Sequence, residues 1–230
     1  MRDTAPACVL FDLDGTLLDT APDLAAALNQ LRRERGQPAL PVAAIRSTVS
    51  HGSPGMLKRC FDLEPETPEY AELNLRFLAQ YRQAIAVETA LFPGMDAVLA
   101  YLERTGIPWG IVTNKPDWLT EPLLQALGLR SRAACVVSGD TLPQRKPEPE
   151  PLWHACAQVG VAPGEALYIG DAERDVQASR RAGLVALVAG FGYLSAQDQP
   201  EQWGAAGILR QPIDLFDWLG DTARRQPPAR

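Results

Sequence analysis

Two carboxylates stand one residue apart in VLFDLDGTLLDT, residues 9–20. Asp12 and Asp14 follow the apolar run Val9, Leu10 and Phe11, and Gly15 comes directly after them. In a strand, residues i and i+2 point to the same side, so both acids leave the strand tip together while Leu13 points into apolar surroundings. Gly15 lets the chain exit through a conformation that side chains disfavour. Two readings are open here: a polar turn, or a pair of acids loaded with a cation and set for reaction. Polar residues recur behind later apolar runs, at Thr113 and Asn114, at Ser138 to Asp140, and at Gly170 to Asp171.

The elements that would position these residues can be read from hydrophobic periodicity. Residues 7–12 read as a buried strand. From residue 93 the pattern alternates: helix to Gly106, strand IPWGIVTN, helix DWLTEPLLQALG, strand AACVVSGD, helix PEPLWHACAQVG, strand ALYIGD, helix ERDVQASRRAG, strand LVALVAG, then a short strand AGILR and a short helix PIDLFDWL. Alternating apolar strands and helices predict βαβ units, hence a parallel sheet covered on both faces. Sites in such sheets lie beyond the carboxyl ends of the strands, which brings the residues named above to one edge. Between residues 20 and 90 the pattern is helical. One helix is expected from Thr20 as N-cap, with Asp23 at capping-box spacing, to Gly36. A second starts at Ser53 and Pro54, and a third at Thr67 and Pro68, with Tyr70, Leu73, Phe77, Leu78 and Tyr81 near helical spacing. The fold class is therefore α/β, with a Rossmann-like core of residues 1–15 and 93–230 interrupted by an all-helical insertion at 16–92. The Pro- and Arg-rich end, about 222–230, is expected to be mobile.

Composition narrows the function classes. The chain has 230 residues, 46% hydrophobic and 22% charged, with a net charge of −6. That balance argues against nucleic acid or an anionic membrane as the main partner. No apolar run approaches the ~18 residues of a membrane span. The first residues hold no stretch of signal-peptide length before their acids. The four cysteines, Cys8, Cys60, Cys135 and Cys156, are widely spaced without a C-x-x-C pair and are expected as buried thiols. A cytoplasmic protein, monomer or homodimer, is expected.

DLDGT at 12–16, VTN at 112–114, Lys146 in KPEPEP and GDAERD at 170–175 come in order and resemble the four motifs of the haloacid dehalogenase-like (HAD) hydrolases. The resemblance covers essentially the whole chain, including a helical cap after the first motif. It implies that Asp12 is a nucleophile forming an aspartyl-phosphate. A carboxylate and a phosphate repel: two unit charges ~4 Å apart cost about 4 kcal/mol at an effective dielectric of about 20. The resemblance supplies the remedy, Mg²⁺, held by Asp12, Asp171 and the backbone carbonyl of Asp14, with Asp175 in support one helical turn beyond Asp171. Asp14 keeps its carboxyl free to act as general acid, then base. Thr113 and Asn114 would hydrogen-bond the phosphate, and Lys146 would tie it to Asp12. Lys115 is expected to be solvated. Ala172 stands where many relatives carry a polar residue.

The cap is expected to set selectivity through SHGSPG, residues 50–55, a small loop at a helix start. His51, Gly52 and Ser53 are the candidate substrate contacts. Lys58 and Arg59 lie one turn on and are expected to be solvated, and His154 to be structural. VTNKP, KPEPEPL and AGFGY are similar to the phosphoglycolate phosphatase-like branch. DQPEQWGAAGILRQPIDL is similar to the N-acetylmuramic acid 6-phosphate phosphatases. The expected reaction is Mg²⁺-dependent hydrolysis of a small phosphorylated carboxylic acid. A phosphosugar mutase or a broad-specificity sugar-phosphate phosphatase is the alternative.

Overall fold

The structure is a computed structural model that describes residues 5–220; the expected mobile end lies outside the described residues. Its centre is β1 (Cys8–Phe11), four fully buried residues. Around it run β4 (Trp109–Val112), β5 (Cys135–Val137), β6 (Ala166–Gly170), β7 (Val185–Ala189) and β8 (Gly207–Leu209). All neighbours pair in parallel, in the order β5-β4-β1-β6-β7-β8. The chain thus builds outward from β1 through β4 to β5, then crosses back to the other side of β1. That reversal is where an open parallel sheet leaves a crevice.

The strand alternation is two-sided. Val9 and Phe11 join one apolar cluster with Ile111, Leu167 and Ile169. Cys8 and Leu10 join another with Val112, Tyr168 and residues of α7 (Glu150–Val159) and α8 (Glu173–Ala182). The first cluster is covered by α5 (Met95–Thr105), while α6 (Asp117–Ala126) follows β4. All four cysteines are buried free thiols, as expected.

Between β1 and β4 lie α1 (Ala21–Glu34), α2 (Val42–Arg46), α3 (Gly52–Phe61) and α4 (Pro68–Gln83). Leu24 and Leu28 of α1 and Phe77 and Tyr81 of α4 belong to the same apolar cluster as the sheet face. A ribbon of two-residue strands, β2 (Leu18–Asp19) and β3 (Ala90–Leu91), pairs antiparallel where the chain leaves and re-enters the core. Segments that short carry no periodicity, so neither they nor α2 were expected.

Four helix expectations change in detail. Thr20 stands at the N-cap position of α1, but its hydroxyl makes no cap bond. Asp23 does not close a capping box either. Its buried carboxylate accepts the backbone N–H groups of Val87, Glu88 and Thr89 at 2.9–3.1 Å, plus the Thr89 hydroxyl at 2.7 Å. It fastens the end of the insertion to its beginning. Helix α3 starts at Gly52 rather than Ser53, behind a 3₁₀ turn at Val49–His51, and the last helix is a 3₁₀ segment at Pro212–Asp217.

Candidate active site

Strand register places the acids. Phe11 is level with Ile111 and Ile169, so Asp12 lies beside Val112 and Gly170, and Thr113 and Asp171 follow one residue further out. The Asp12 N–H donates to the Ile169 carbonyl (2.8 Å), extending the ladder by one residue. Asp12 is 3% exposed. Its Oδ1 accepts the Leu13 N–H (2.7 Å) and Lys146 Nζ (2.9 Å).

Lys146 is fixed by three acceptors. Besides Asp12, its ammonium reaches Asp175 Oδ1 (2.8 Å) and the Tyr168 hydroxyl (2.7 Å), which itself donates to the Val112 carbonyl (2.8 Å). An ammonium has three N–H donors, so this one points in a single direction. Asp175 Oδ2 accepts the Ala172 N–H (3.0 Å). Burial opposes ionisation of Asp175, but Lys146 and Arg174 outweigh it and hold the carboxyl below the usual range. The same burial pushes Asp12 up, with Lys146 working against it and Asp175 adding to it.

Asp171 is the least satisfied acid. Oδ2 accepts the Ser50 hydroxyl (2.7 Å) and the Tyr193 N–H (2.9 Å), while Oδ1 is buried without a partner. Burial, reinforced by Asp12 and Asp175, pushes its carboxyl up to about 7. Oxygens of Asp12, Asp171 and Asp175 all lie within 4.8 Å of one another. Both oxygens of Asp175 are engaged, so Asp12 Oδ2 and Asp171 Oδ1 are the ones turned to spare. Among the described residues no backbone donor reaches the Asp14 carbonyl. This is a hard-oxygen donor set with an excess of negative charge, and it fits a small divalent cation. Gly15 is required beside it. Its φ is +83°, and a Cβ there would stand 2.2 Å from Asp171 Oδ2.

Asp14 has a separate environment. Its carboxylate accepts the Thr20 hydroxyl (2.6 Å) and Lys115 Nζ (3.0 Å). Lys115 was expected in solvent, but its side chain is 7% exposed and its ammonium lies 4.6 Å over the ring of Tyr81. Residue spacing could not show this, because Tyr81 comes from α4. Asp14 in turn keeps the ammonium charged against its burial, moving the Lys115 pKa upward.

Thr113 is buried and its hydroxyl accepts the Lys115 N–H (3.1 Å). Asn114 is engaged through its side chain. Its amide is spent on the backbone of Lys146, donating to the carbonyl (2.9 Å) and accepting the N–H (3.1 Å). The side chain clamps the lysine loop, and the residue lines the cavity.

The cavity has a volume of about 440 Å³ and reaches from Asp12, Asp14 and Thr113 to His51, Gly52, Ser53 and Tyr81. Ser50, beside the expected contacts, is the residue that actually bonds a core acid. Lys58 instead pairs with Asp62 and Glu64, and Arg59 donates to the Ala44 carbonyl. His154 pairs with Gln158. Arg145 and Arg174 line the cavity and were not foreseen; the one signal for Arg174 was a basic residue inside GDAERD. Tyr193, in AGFGY, joins the halves: its hydroxyl accepts the Thr20 and Ala21 N–H groups and donates to Asp19.

Comparison with known proteins gives the chain a family. Residues 9–189 match the family model described as haloacid dehalogenase-like hydrolase. An N-acetylmuramic acid 6-phosphate phosphatase of Pseudomonas putida is 41% identical over 90% of this chain and 93% of its own. A phosphoglycolate phosphatase of Xanthomonas campestris pv. campestris is 43% identical over 92% and 96%. Among solved structures, a predicted phosphoglycolate phosphatase from Haemophilus somnus superposes with a TM-score of 0.82 at 26% identity, covering 94% of this chain and 99% of that one. With acids, lysine and strand ends arranged as described, and with a family match over most of its length, the chain belongs to the haloacid dehalogenase-like hydrolases.

Proposed function

We propose that this protein is a phosphomonoester hydrolase acting through Asp12 on a small phosphorylated carboxylic acid, either 2-phosphoglycolate or N-acetylmuramic acid 6-phosphate. The relatives named above carry those activities in their names. The observation that carries the reading is the contrast at the sheet edge. Asp12 is held by Lys146 with one oxygen unengaged, while Asp14, two residues on, faces a different cation and a hydroxyl.

Asp12 attacks phosphorus and becomes phosphorylated; a carboxylate nucleophile divides one hard displacement into two. Lys146 holds Asp12 in place and offsets the charge gathering at the phosphoryl group. The Thr113 hydroxyl sits at the end of β4, level with Asp171, where it can bind a phosphoryl oxygen. Asp14 gives a proton to the leaving oxygen, then takes one from the water that releases phosphate. Thr20 and Lys115 aim its carboxyl for both transfers. Asp12, Asp171 and the Asp14 carbonyl would hold Mg²⁺, with Asp175 behind them. When bound, the ion supplies the positive charge that lets an anionic nucleophile meet an anionic substrate.

In this reading, residues 1–15 and 93–230 are the catalytic core and 16–92 the cap, which presents His51, Gly52 and Ser53 to the leaving group. The cavity, about 440 Å³, leaves room for either ester. Among the described residues no helix is long and apolar enough to cross a membrane, and four buried free thiols suit a reducing compartment such as the cytoplasm. Phosphate release from both esters, with Mg²⁺ and after chelation, tests the proposal. Turnover of at least one that disappears with the metal is expected; negligible kcat/KM on both would exclude the substrate class.

A further inference from the structure

Three cationic side chains line the cavity, and they are not equivalent. Lys115 is committed to Asp14. The side chains of Arg145, an exposed residue, and Arg174 make no hydrogen bond or ion pair with any described residue. Arg174 matters most, because its Nε is buried without a partner. A guanidinium stays charged and offers a planar fork of N–H groups. Asp175, Asp12 and Asp171 offset its charge, but a buried N–H left without an acceptor is unfavourable unless a ligand completes it.

We infer that Arg174, with Arg145 beside it, binds the carboxylate of the substrate, the anionic group that is not transferred. The inference rests on the substrate class proposed above and adds which residues read it. Three facts point to the carboxylate rather than the phosphoryl group. First, the phosphoryl side already has Thr113 at the end of β4 and Lys146 beside Asp12. Second, the fork geometry matches a carboxylate with two parallel N–H bonds, where a lysine offers only a point charge. Third, both arginines come from the core: Arg174 from the first turn of α8 and Arg145 from the residue before Lys146. Recognition of the acid would then be independent of how the loop at 50–55 is seated. The basic residues on the cap nearest the loop, Lys58 and Arg59, are occupied elsewhere.

The test compares matched pairs of esters that differ in the acid: N-acetylmuramic acid 6-phosphate against N-acetylglucosamine 6-phosphate, and 2-phosphoglycolate against 2-hydroxyethyl phosphate. The readout is the ratio of kcat/KM, acidic over neutral, for the full-length Mg²⁺-loaded enzyme. Arg174→Gln is expected to lower that ratio about tenfold, mainly through KM for the acidic ester. Arg174→Lys should recover part of it, and Arg145→Gln should lower it about threefold. Thermal melting separates a folding defect from a binding one, since a folding defect moves both esters together. An unchanged ratio in Arg174→Gln overturns the inference, whether both rates fall or neither does. If the wild-type enzyme itself shows no preference for the acidic ester, the substrate class falls instead, a result read before any substitution is made.

Discussion

The two faces of the cavity are built on opposite terms. On the core side, Lys146 has all three donors engaged, and Asp175 has both oxygens bonded. On the cap side, His51 and Gly52 are exposed, and of the loop's side chains only Ser50 donates to a core acid, Asp171. Reaction chemistry needs groups held to fractions of an ångström, and selectivity needs a wall that can be refitted. In the reading proposed above, the ends of the parallel strands take the first task and a loop at a helix start the second. Lys115 crosses the divide, with its ammonium on Asp14 of the core and its position over Tyr81 of the cap.

This contrast can be broken most severely on the core side. Asp12→Asn should reduce kcat by about 10⁴-fold or more, measured as phosphate release with Mg²⁺ present. Lys146→Met removes the cation from between two buried carboxylates. It should cost about 3–5 kcal/mol of stability as well as activity, because it strands buried charge; denaturant unfolding measures the first and phosphate release the second. Asp23→Ala should also destabilise, by about 3 kcal/mol, since it orphans three backbone N–H groups, yet leave the pH profile of turnover in place. Lys115→Met tests the bridging group. About a hundredfold loss in kcat is expected, with a smaller change in KM, because it acts on the proton carrier. The cap side should respond least, with His51→Ala raising KM about threefold.

A pH measurement sharpens the same comparison. The Asp171 carboxyl, ordinarily near 3.8, is pushed up to about 7 by burial and two neighbouring acids. Across that window the native protein without metal keeps a proton that the unfolded chain has lost. Its stability therefore falls as pH rises from about 4 to about 7, then levels off. A divalent cation replaces that proton. The rise in Tm on adding Mg²⁺ should accordingly grow over the same interval, by differential scanning fluorimetry in matched ionic strength. Asp171→Asn should abolish both trends.

Much of the core was legible in the residues. Apolar runs of strand length alternating with helical periods led to a parallel sheet, and parallel strands put their carboxyl ends on one edge. Asp12, Thr113 and Asp171 follow from that alone. The unread part has a common physical origin, in contacts between segments distant in the chain. Nothing near Lys115 announces that Tyr81 will cover it. Asn114 looks like a phosphate ligand by position, but its amide is taken by Lys146, 32 residues on. Thr20 reads as a helix cap, and its hydroxyl goes to Asp14. The strands β2 and β3 are two residues each, shorter than any period. Arg174 sat in plain view inside GDAERD, yet only its unpartnered Nε, seen in three dimensions, marks it.

The central claim is that Asp12 is the atom carrier and Asp14 the proton carrier. Acid quenching of the Asp14→Asn variant during turnover of p-nitrophenyl phosphate tests it directly. That leaving group departs without a proton, so phosphorylation proceeds while hydrolysis of the intermediate is slowed. Peptide mass spectrometry should find a phosphoryl group on Asp12, in amount matching a burst of nitrophenol. A burst with Asp12 unmodified, or with the phosphoryl group on another residue, would contradict the account.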